Sequence, residues 1–190
     1  MRVPLSWLRE FVPVAEDASA EDLMATLVKV GLEEEDVHRP SDELSGPIVV
    51  GQVLSMEPET HSNGKTVNWC QVRVVPEGQE QTLTGKGIEP SGVQGIICGA
   101  HNFVPGDKVV VTLPGAVLPG GFAITARKTY GHKSAGMIAS TCEMGIGDDH
   151  GGILVLSSLG LDPEVGTEAT GMMGLYDQVA NVEVTTDRGY

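Results

Sequence analysis

The amino-acid sequence predicts an α+β protein: a small barrel or sandwich of short strands, inserted into a discontinuous, mainly helical domain made from the two ends of the chain. Three observations predict it. Apolar residues recur with helical spacing before residue 40 and then alternate with a period of two. The 190 residues include 25 glycines and 11 prolines, a density of turns that keeps strands short. The two end pieces are each too small to bury a core, so the simplest arrangement packs them together.

Residues 1–39 read as two helices. Ser6 is placed to N-cap the first, with Trp7, Leu8 and Phe11 along one side. Ser19, with Asp22 three residues on, opens the second in the manner of a capping box, and Leu23, Met24, Leu27 and Val28 follow helical spacing. Gly31 is a natural stop. "EEED" (33–36) reads as a solvated face or linker, and "PSDELSG" (40–46) as a linker.

Past residue 46 the period changes. "PIVVGQVLSME" (47–57) is a strand. "VNWCQVRVV" (67–75) alternates, with Val67, Trp69, Gln71 and Arg73 on one face and Asn68, Cys70, Val72 and Val74 on the other. Residues 76–92 are polar and turn-rich, an extended hairpin loop. Further strands are expected at 93–100, 107–113 and 122–127, and short apolar runs at 135–140 and 153–156. Gly51, Gly95 and Gly99 suit the sharp bends of a tightly coiled barrel, whose closure removes exposed edges. The pattern alone does not separate an OB-fold from an SH3-like barrel. Residues 152–190 turn acidic, with a helical turn in "EVGTEATGMMGL" and a strand over 177–186. The last residues, "DRGY", carry no terminating signal, so a longer protein is expected.

Composition narrows the function. With 41% hydrophobic and 20% charged residues, the chain is of the folded class. It has no apolar run of membrane-spanning length and no signal-peptide pattern at its start, so a cytoplasmic location is expected. Cys70, Cys98 and Cys142 are odd in number and widely spaced, which fits reduced, buried thiols. Cys142, with His150 eight residues on, reads as a thiol packed as a small hydrophobe rather than as half of a metal or catalytic pair. "GDDHGG" (147–152) reads as an Asx-type turn rather than a metal site. "LPGAVLPGG" lacks the Lys-Ser/Thr of a phosphate-cradling loop. No catalytic and no metal-ligating residues are assigned.

The formal net charge is −14, but it is unevenly spread. Residues 47–151 hold seven Lys/Arg against nine Asp/Glu, whereas the flanks hold five against seventeen. The whole-chain acidity argues against a polyanionic partner; the middle segment does not. There, "KTYGHKSAGMIAS" (128–140) gathers Lys128, His132 and Lys133 just after Arg127.

Specific stretches carry a family likeness. "ICGAHNFVPGDKVVVTLPGAVLPGGFAI" (97–124) and "SAGMIASTCEMGIGDDHGGILVL" (134–156) closely resemble the bacterial phenylalanyl-tRNA synthetase beta subunit. "VPLSWLREFV" and "LMATLVKVGLEEE" look like its extreme N-terminus. "VEVTTDRGY" resembles the opening of its next domain, where the family usually reads Thr-Pro-Asn-Arg-Gly-Asp. The resemblance runs collinearly through essentially the whole chain. It implies that residues 40–151 form a five-stranded tRNA-binding-type OB-fold. It implies that residues 1–39 with 152–190 form a small helical, winged-helix-like domain of a kind named for DNA binding. In that family the aminoacylation site lies on the alpha subunit, and the editing and anticodon-reading domains lie further along the beta subunit. No catalytic centre and no cofactor are therefore expected here, with ATP and magnesium belonging to the parent enzyme. The implied partners are tRNA, the rest of the beta subunit and the alpha subunit in a heterotetramer; no membrane and no DNA partner are expected.

The resemblance also points to residues. The first loop of tRNA-binding OB-folds often reads His-Pro-Asn-Ala-Asp-Lys-Leu. Here "HSNGKTV" matches at His61 and Asn63 and brings the basic residue one position early, at Lys65. In the later loop, Leu-Arg-Gly then Ser-Glu-Gly-Met is common. Here stand Thr129, Tyr130, Gly131, then Ser134, Ala135, Gly136, Met137, with Tyr130 in place of the arginine and Lys133 where an acid is usual. If the two loops are neighbours, Lys65, Arg127, Lys128 and Lys133 form a patch that offsets phosphate charge. Gly131 and Gly136 let the backbone approach a ligand, Ser134 donates to a phosphate oxygen, Asn63 and Asn102 read a sugar or base edge, and Met137 completes the matched motif. Tyr130 and Phe103 are the plausible stacking residues, whereas Trp69 is expected half-buried and Phe122 in the core. Recognition by shape and backbone, sensitive to salt, is expected. Set against this are ordinary solvated charges at a turn, a purely structural module that braces the heterotetramer, and a free-standing tRNA-binding adaptor.

Overall fold

A computed structural model describes residues 1–183. The "TTDRGY" stretch, and residues 184–186 of the strand expected over 177–186, lie outside it. In chain order the elements are β1 (Arg2–Pro4), α1 (Leu5–Phe11), α2 (Ala20–Lys29), β2 (Glu33–His38), β3 (Ile48–Thr60), β4 (Thr66–Arg73), β5 (Val93–Cys98), β6 (Lys108–Thr112), β7 (Val117–Leu118), β8 (Phe122–Ala123), β9 (Arg127–Thr129), β10 (His132–Ser134), β11 (Met137–Ile138), α3 (Ala169–Met172) and β12 (Val179–Glu183). Short 3₁₀ turns stand at Pro40–Glu43 and Leu156–Leu159. The class is α+β. The chain separates into two units, Met1–Asp42 with the chain from Gly174 onward, and Glu43–Met173.

The larger unit is built on an antiparallel sheet in the order β11-β6-β3-β4-β5. β3 is 13 residues long and pairs with β6 through its first half and with β4 through its second. The register slips between Val53 and Ser55, a bulge that bends the strand. The sheet curls, and its edge strand β5 meets β10 and the residue that follows it. Ala135 N–H donates to Gly95 O (2.8 Å), and Ile97 N–H donates to Ser134 Oγ (3.0 Å). Inside the curl lie Val49, Val53, Cys70, Val72, Ile96, Val109, Val111, Leu113 and Ile138. The alternation read for β4 is borne out, since Asn68, Cys70, Val72 and Val74 are the buried face. The loop at 76–92 stays without strands and is tied down by Gln94, which is fully buried. Its Nε2 donates to Gly87 O (2.9 Å) and Ala135 O (2.7 Å), and its Oε1 accepts from Glu89 N (2.7 Å).

Gly51 and Gly95 serve close packing rather than bending. A Cβ at Gly51 would lie 2.6 Å from a Val111 methyl, and one at Gly95 would lie 2.4 Å from the Trp69 ring. Residues 152–173, placed by the sequence reading with the flanks, make their contacts on the larger unit. Val50 N–H donates to Thr167 O and Gly166 N–H to Val50 O (both 2.8 Å), while Leu154 N–H donates to Ala139 O (3.0 Å). "ILVL" (153–156) is not a strand; it makes an isolated bridge from Val155 to Val109 and then a 3₁₀ turn.

The smaller unit is a three-stranded antiparallel sheet, β1-β12-β2, with Met24 of α2 packed on Ala180 and Val182 of β12. The unit therefore mixes helix and strand, where a mainly helical one was expected. "EEED" lies on the edge strand β2, paired to β12, because the hydrogen-bonding partner comes from the far end of the chain and leaves no local signal. The capping box at Ser19 and Asp22 is present. Ser6 is not the N-cap of α1. The helix starts at Leu5, and Ser6 N–H and Oγ–H both donate to the Asp177 carboxylate. Leu5 is the buried residue of α1, while Trp7 and Phe11, read along one side of it, are 61% and 75% exposed.

Candidate nucleic-acid interface

Two hairpins build the site. The turn between β3 and β4 is closed by His61 N–H to Lys65 O and Gly64 N–H to His61 O (both 2.9 Å). The Asn63 side chain accepts from Lys65 N (3.0 Å), an Asx turn that fixes the loop. The second hairpin pairs β9 with β10, setting Lys128 opposite Lys133 and Arg127 opposite Ser134. Its two-residue loop, Tyr130–Gly131, has φ of +50° and +84°, the sign at both positions that a tight hairpin turn requires.

These hairpins are neighbours. The His61 and Tyr130 rings lie 4.3 Å apart, tilted by 34°. Glu59 on β3 joins them, its Oε1 lying 2.8 Å from His132 Nε2 and its Oε2 lying 3.6 Å from His61 Nε2. His132 stacks on Trp69 with centroids 4.2 Å apart and planes 13° from parallel, and Trp69 in turn occupies the space that Gly95 leaves open. The half-buried placement expected for Trp69 is what the structure has. Sequence reasoning missed this Glu59–His61–His132–Trp69 chain as a unit. Its members stand far apart along the chain, and only the pairing of the hairpins brings them together.

The sequence-derived residues divide into three groups. Lys65, Lys128, Lys133 and Arg127 are exposed. Lys133 Nζ reaches Glu89 Oε1 at 3.3 Å, Arg127 Nε donates to Thr125 Oγ1 (3.1 Å) with its guanidinium 5.9 Å from the Phe122 ring centroid, and Lys128 has no ion-pair partner among the described residues. Asn63 is exposed but holds its own turn. The remaining residues serve the interior. Ser134 is buried, its Oγ accepting from Ile97 N. Asn102 uses both ends of its amide on Ile153, donating to its carbonyl (2.8 Å) and accepting from its N–H (3.0 Å). Gly136 is a close-packing position, where a Cβ would come 2.8 Å from Thr112 O. Met137 pairs with Thr112 in the sheet. Phe103, read as a stacking residue, is 2% exposed in the core, and Phe122, read as core, is 51% exposed. A shallow groove of about 170 Å³ is lined by Ile97, Phe122, Arg127, Thr129 and Met137 among others.

Elsewhere, Asp149 Oδ1 accepts from Gly151 N (2.7 Å), the Asx turn read in "GDDHGG". Cys70 and Cys98 are buried free thiols, while Cys142 is only partly buried, with Sγ 3.5 Å from His150 Nε2. Among the described residues no group of three His, Cys, Asp or Glu side chains is disposed to hold a metal ion, and no helix is long and apolar enough to cross a membrane. The hairpin pair thus offers a cationic rim, an aromatic tip and buried supports beneath them.

No protein-family model matches the chain. Curated relatives match it from end to end. It is 57% identical to the phenylalanine–tRNA ligase beta subunit of Leifsonia xyli subsp. xyli, over all of this chain and 22% of that protein. It is 52% identical to the same subunit of Streptomyces avermitilis and 50% identical to that of Thermobifida fusca, in each case over all of this chain and 21% of the relative. The chain spans about a fifth of the length of these relatives. With half or more of its residues identical to each of the three along its entire length, the chain is similar from end to end to the N-terminal region of phenylalanine–tRNA ligase beta subunits.

Proposed function

We propose that this region is an accessory tRNA-contacting module of a phenylalanine–tRNA ligase beta subunit. It carries no catalytic residue of its own and works within an enzyme that attaches phenylalanine to tRNA. On this reading the curled sheet is a tRNA-binding-type OB-fold, the terminal unit is its winged-helix-like base, and the alpha subunit and the rest of the beta subunit are its partners in a cytoplasmic heterotetramer. ATP and magnesium serve the parent enzyme's active site. The observation that carries the reading is the 4.3 Å contact between His61 and Tyr130, which sets the hairpin of Lys65 beside the hairpin of Arg127, Lys128 and Lys133. Four exposed cations then stand on two adjoining hairpins of a chain whose net charge is −14.

The test is a titration of the 190-residue chain with transcribed tRNA across a salt series. Each neutralised phosphate contributes about 0.7–0.9 to the slope of log affinity against log salt, so the expected slope lies between about −2 and −4. The double variant Lys128→Glu, Lys133→Glu loses binding. No binding at low salt, or an affinity indifferent to salt, overturns the proposal. A second reading, a module that braces the subunit assembly, is favoured by the exposure of Trp7 and Phe11 on α1. On that reading the tRNA titration gives nothing, and substitution of those two residues weakens subunit association.

A further inference from the structure

We propose that Tyr130, backed by His61, is a stacking platform for one unpaired base of bound RNA. The inference rests on the tRNA-contacting reading and adds to it the kind of nucleotide that the rim takes. The β9–β10 hairpin breaks two local rules within eight residues. Tyr130 is the only non-glycine residue at positive φ among the described residues, at a loop position that Asn, Asp or Gly fills more readily. Lys128 and Lys133 stand directly opposite one another, a like-charge pair that weakens a two-stranded ribbon. Neither choice helps the hairpin form. Local conflicts of this sort concentrate where a surface serves a ligand.

The geometry says which ligand. The Tyr130 ring is not packed into the core. Its neighbour is the His61 imidazole, 4.3 Å away, and part of Tyr130 remains open to solvent. Glu59 hydrogen-bonds His132 and lies 3.6 Å from His61 Nε2, and Trp69 stacks on His132, so the two hairpins are joined beside the ring. The exposed lysines lie two and three residues away along the same hairpin, and Glu89 is the acid that faces them, through Lys133. A π-face beside paired cations fits a nucleotide, with phosphate on the lysines and base on the ring. Every base presents a π-face, so such a contact tolerates any sequence. A duplex offers no free face, so the site selects an unpaired position, as in a tRNA loop or end.

The experiment uses the 190-residue chain with tRNA, and with a short single-stranded RNA carrying a fluorescent 2-aminopurine. Tyr130→Asn suits the loop geometry, so it folds, and Tyr130→Phe keeps the ring. Tyr130→Asn is expected to lower affinity for both RNAs roughly 5- to 150-fold, the range of one base–aromatic stack. It leaves the salt slope unchanged and abolishes the 2-aminopurine quenching seen with the parent chain and with Tyr130→Phe. If Tyr130→Asn binds as the parent does while Lys128→Glu, Lys133→Glu loses binding, stacking is wrong and the tRNA reading stands. If Tyr130→Asn weakens binding but quenching persists, or the salt slope changes, the residue acts through loop shape and stacking is again wrong. If the parent chain binds no RNA at low salt, both fall together.

Discussion

Cys70 lies fully buried on β4, and burial, with Cys98 beside it, pushes its thiol up to about 12. Burial pushes Cys98 up as well. An unfolded thiol loses its proton near pH 8.5 to 9. The folded chain holds the Cys70 proton to higher pH, so the unfolded state binds fewer protons there and stability falls as pH rises. The contribution is whole below about pH 8.5, and is lost at up to about 1.4 kcal/mol per pH unit above it until the folded thiol also ionises. Urea unfolding between pH 8 and 10.5 is expected to show Cys70→Ala less stable than the parent at pH 8 but with a shallower decline. Lysines and tyrosines titrate in both chains and cancel in the comparison, so parallel curves would contradict the assignment. Residue type alone revealed the buried apolar partners on β4, because alternation is a local property. It did not reveal that Asn102 and Ser134 are consumed internally. A polar side chain names its donors and acceptors, but its partners at Ile153 and Ile97 are set by chain folding.

At the scale of elements the same division holds. The second helix was legible because its cap, Ser19 with Asp22, closes within three residues. The cap of α1 was not, because the Asp177 carboxylate that accepts from Ser6 lies 171 residues away. The acidic run of β2 likewise reads as a solvated face or linker, since its partner β12 is also far away in sequence and the register sets Glu33 against Glu183, a pairing that no sequence rule favours. Asp177→Ala is therefore expected to destabilise the smaller unit by about 1 kcal/mol, the ordinary worth of an N-cap acceptor. The measurement is hydrogen exchange of α1 amides, with Glu10→Ala, which no capping contact involves, as the comparison. Equal protection in both variants would show that the carboxylate caps nothing.

Over the whole molecule, charge and division into units decide how the cationic rim works. The larger unit, Glu43–Met173, holds seven Lys/Arg and thirteen Asp/Glu, and the remainder holds five and thirteen. The structural boundary moves Asp162, Glu164 and Glu168 onto the larger unit, so its acidity exceeds that of residues 47–151 alone. Lys108 meets one of those acids, Asp162, at 2.6 Å, and the hairpin lysines do not. On the tRNA-contacting proposal the rim would meet its ligand against a background of like sign to it, and about half of the acidic residues belong to the smaller unit. The larger unit has its own continuous core, from Val49 to Ile153, and is expected to fold cooperatively when residues 43–173 are produced alone. Freed of the acidic smaller unit, it should bind tRNA more tightly than the 190-residue chain at low salt, where the screening length is about 30 Å at 0.01 M. The two affinities should converge near 1 M salt, where that length shrinks to about 3 Å. Equal affinity throughout would show that the rim does not feel the acidic unit. A gain that survived high salt would show that the acidic unit blocks the rim by occupying it, a steric effect rather than a field.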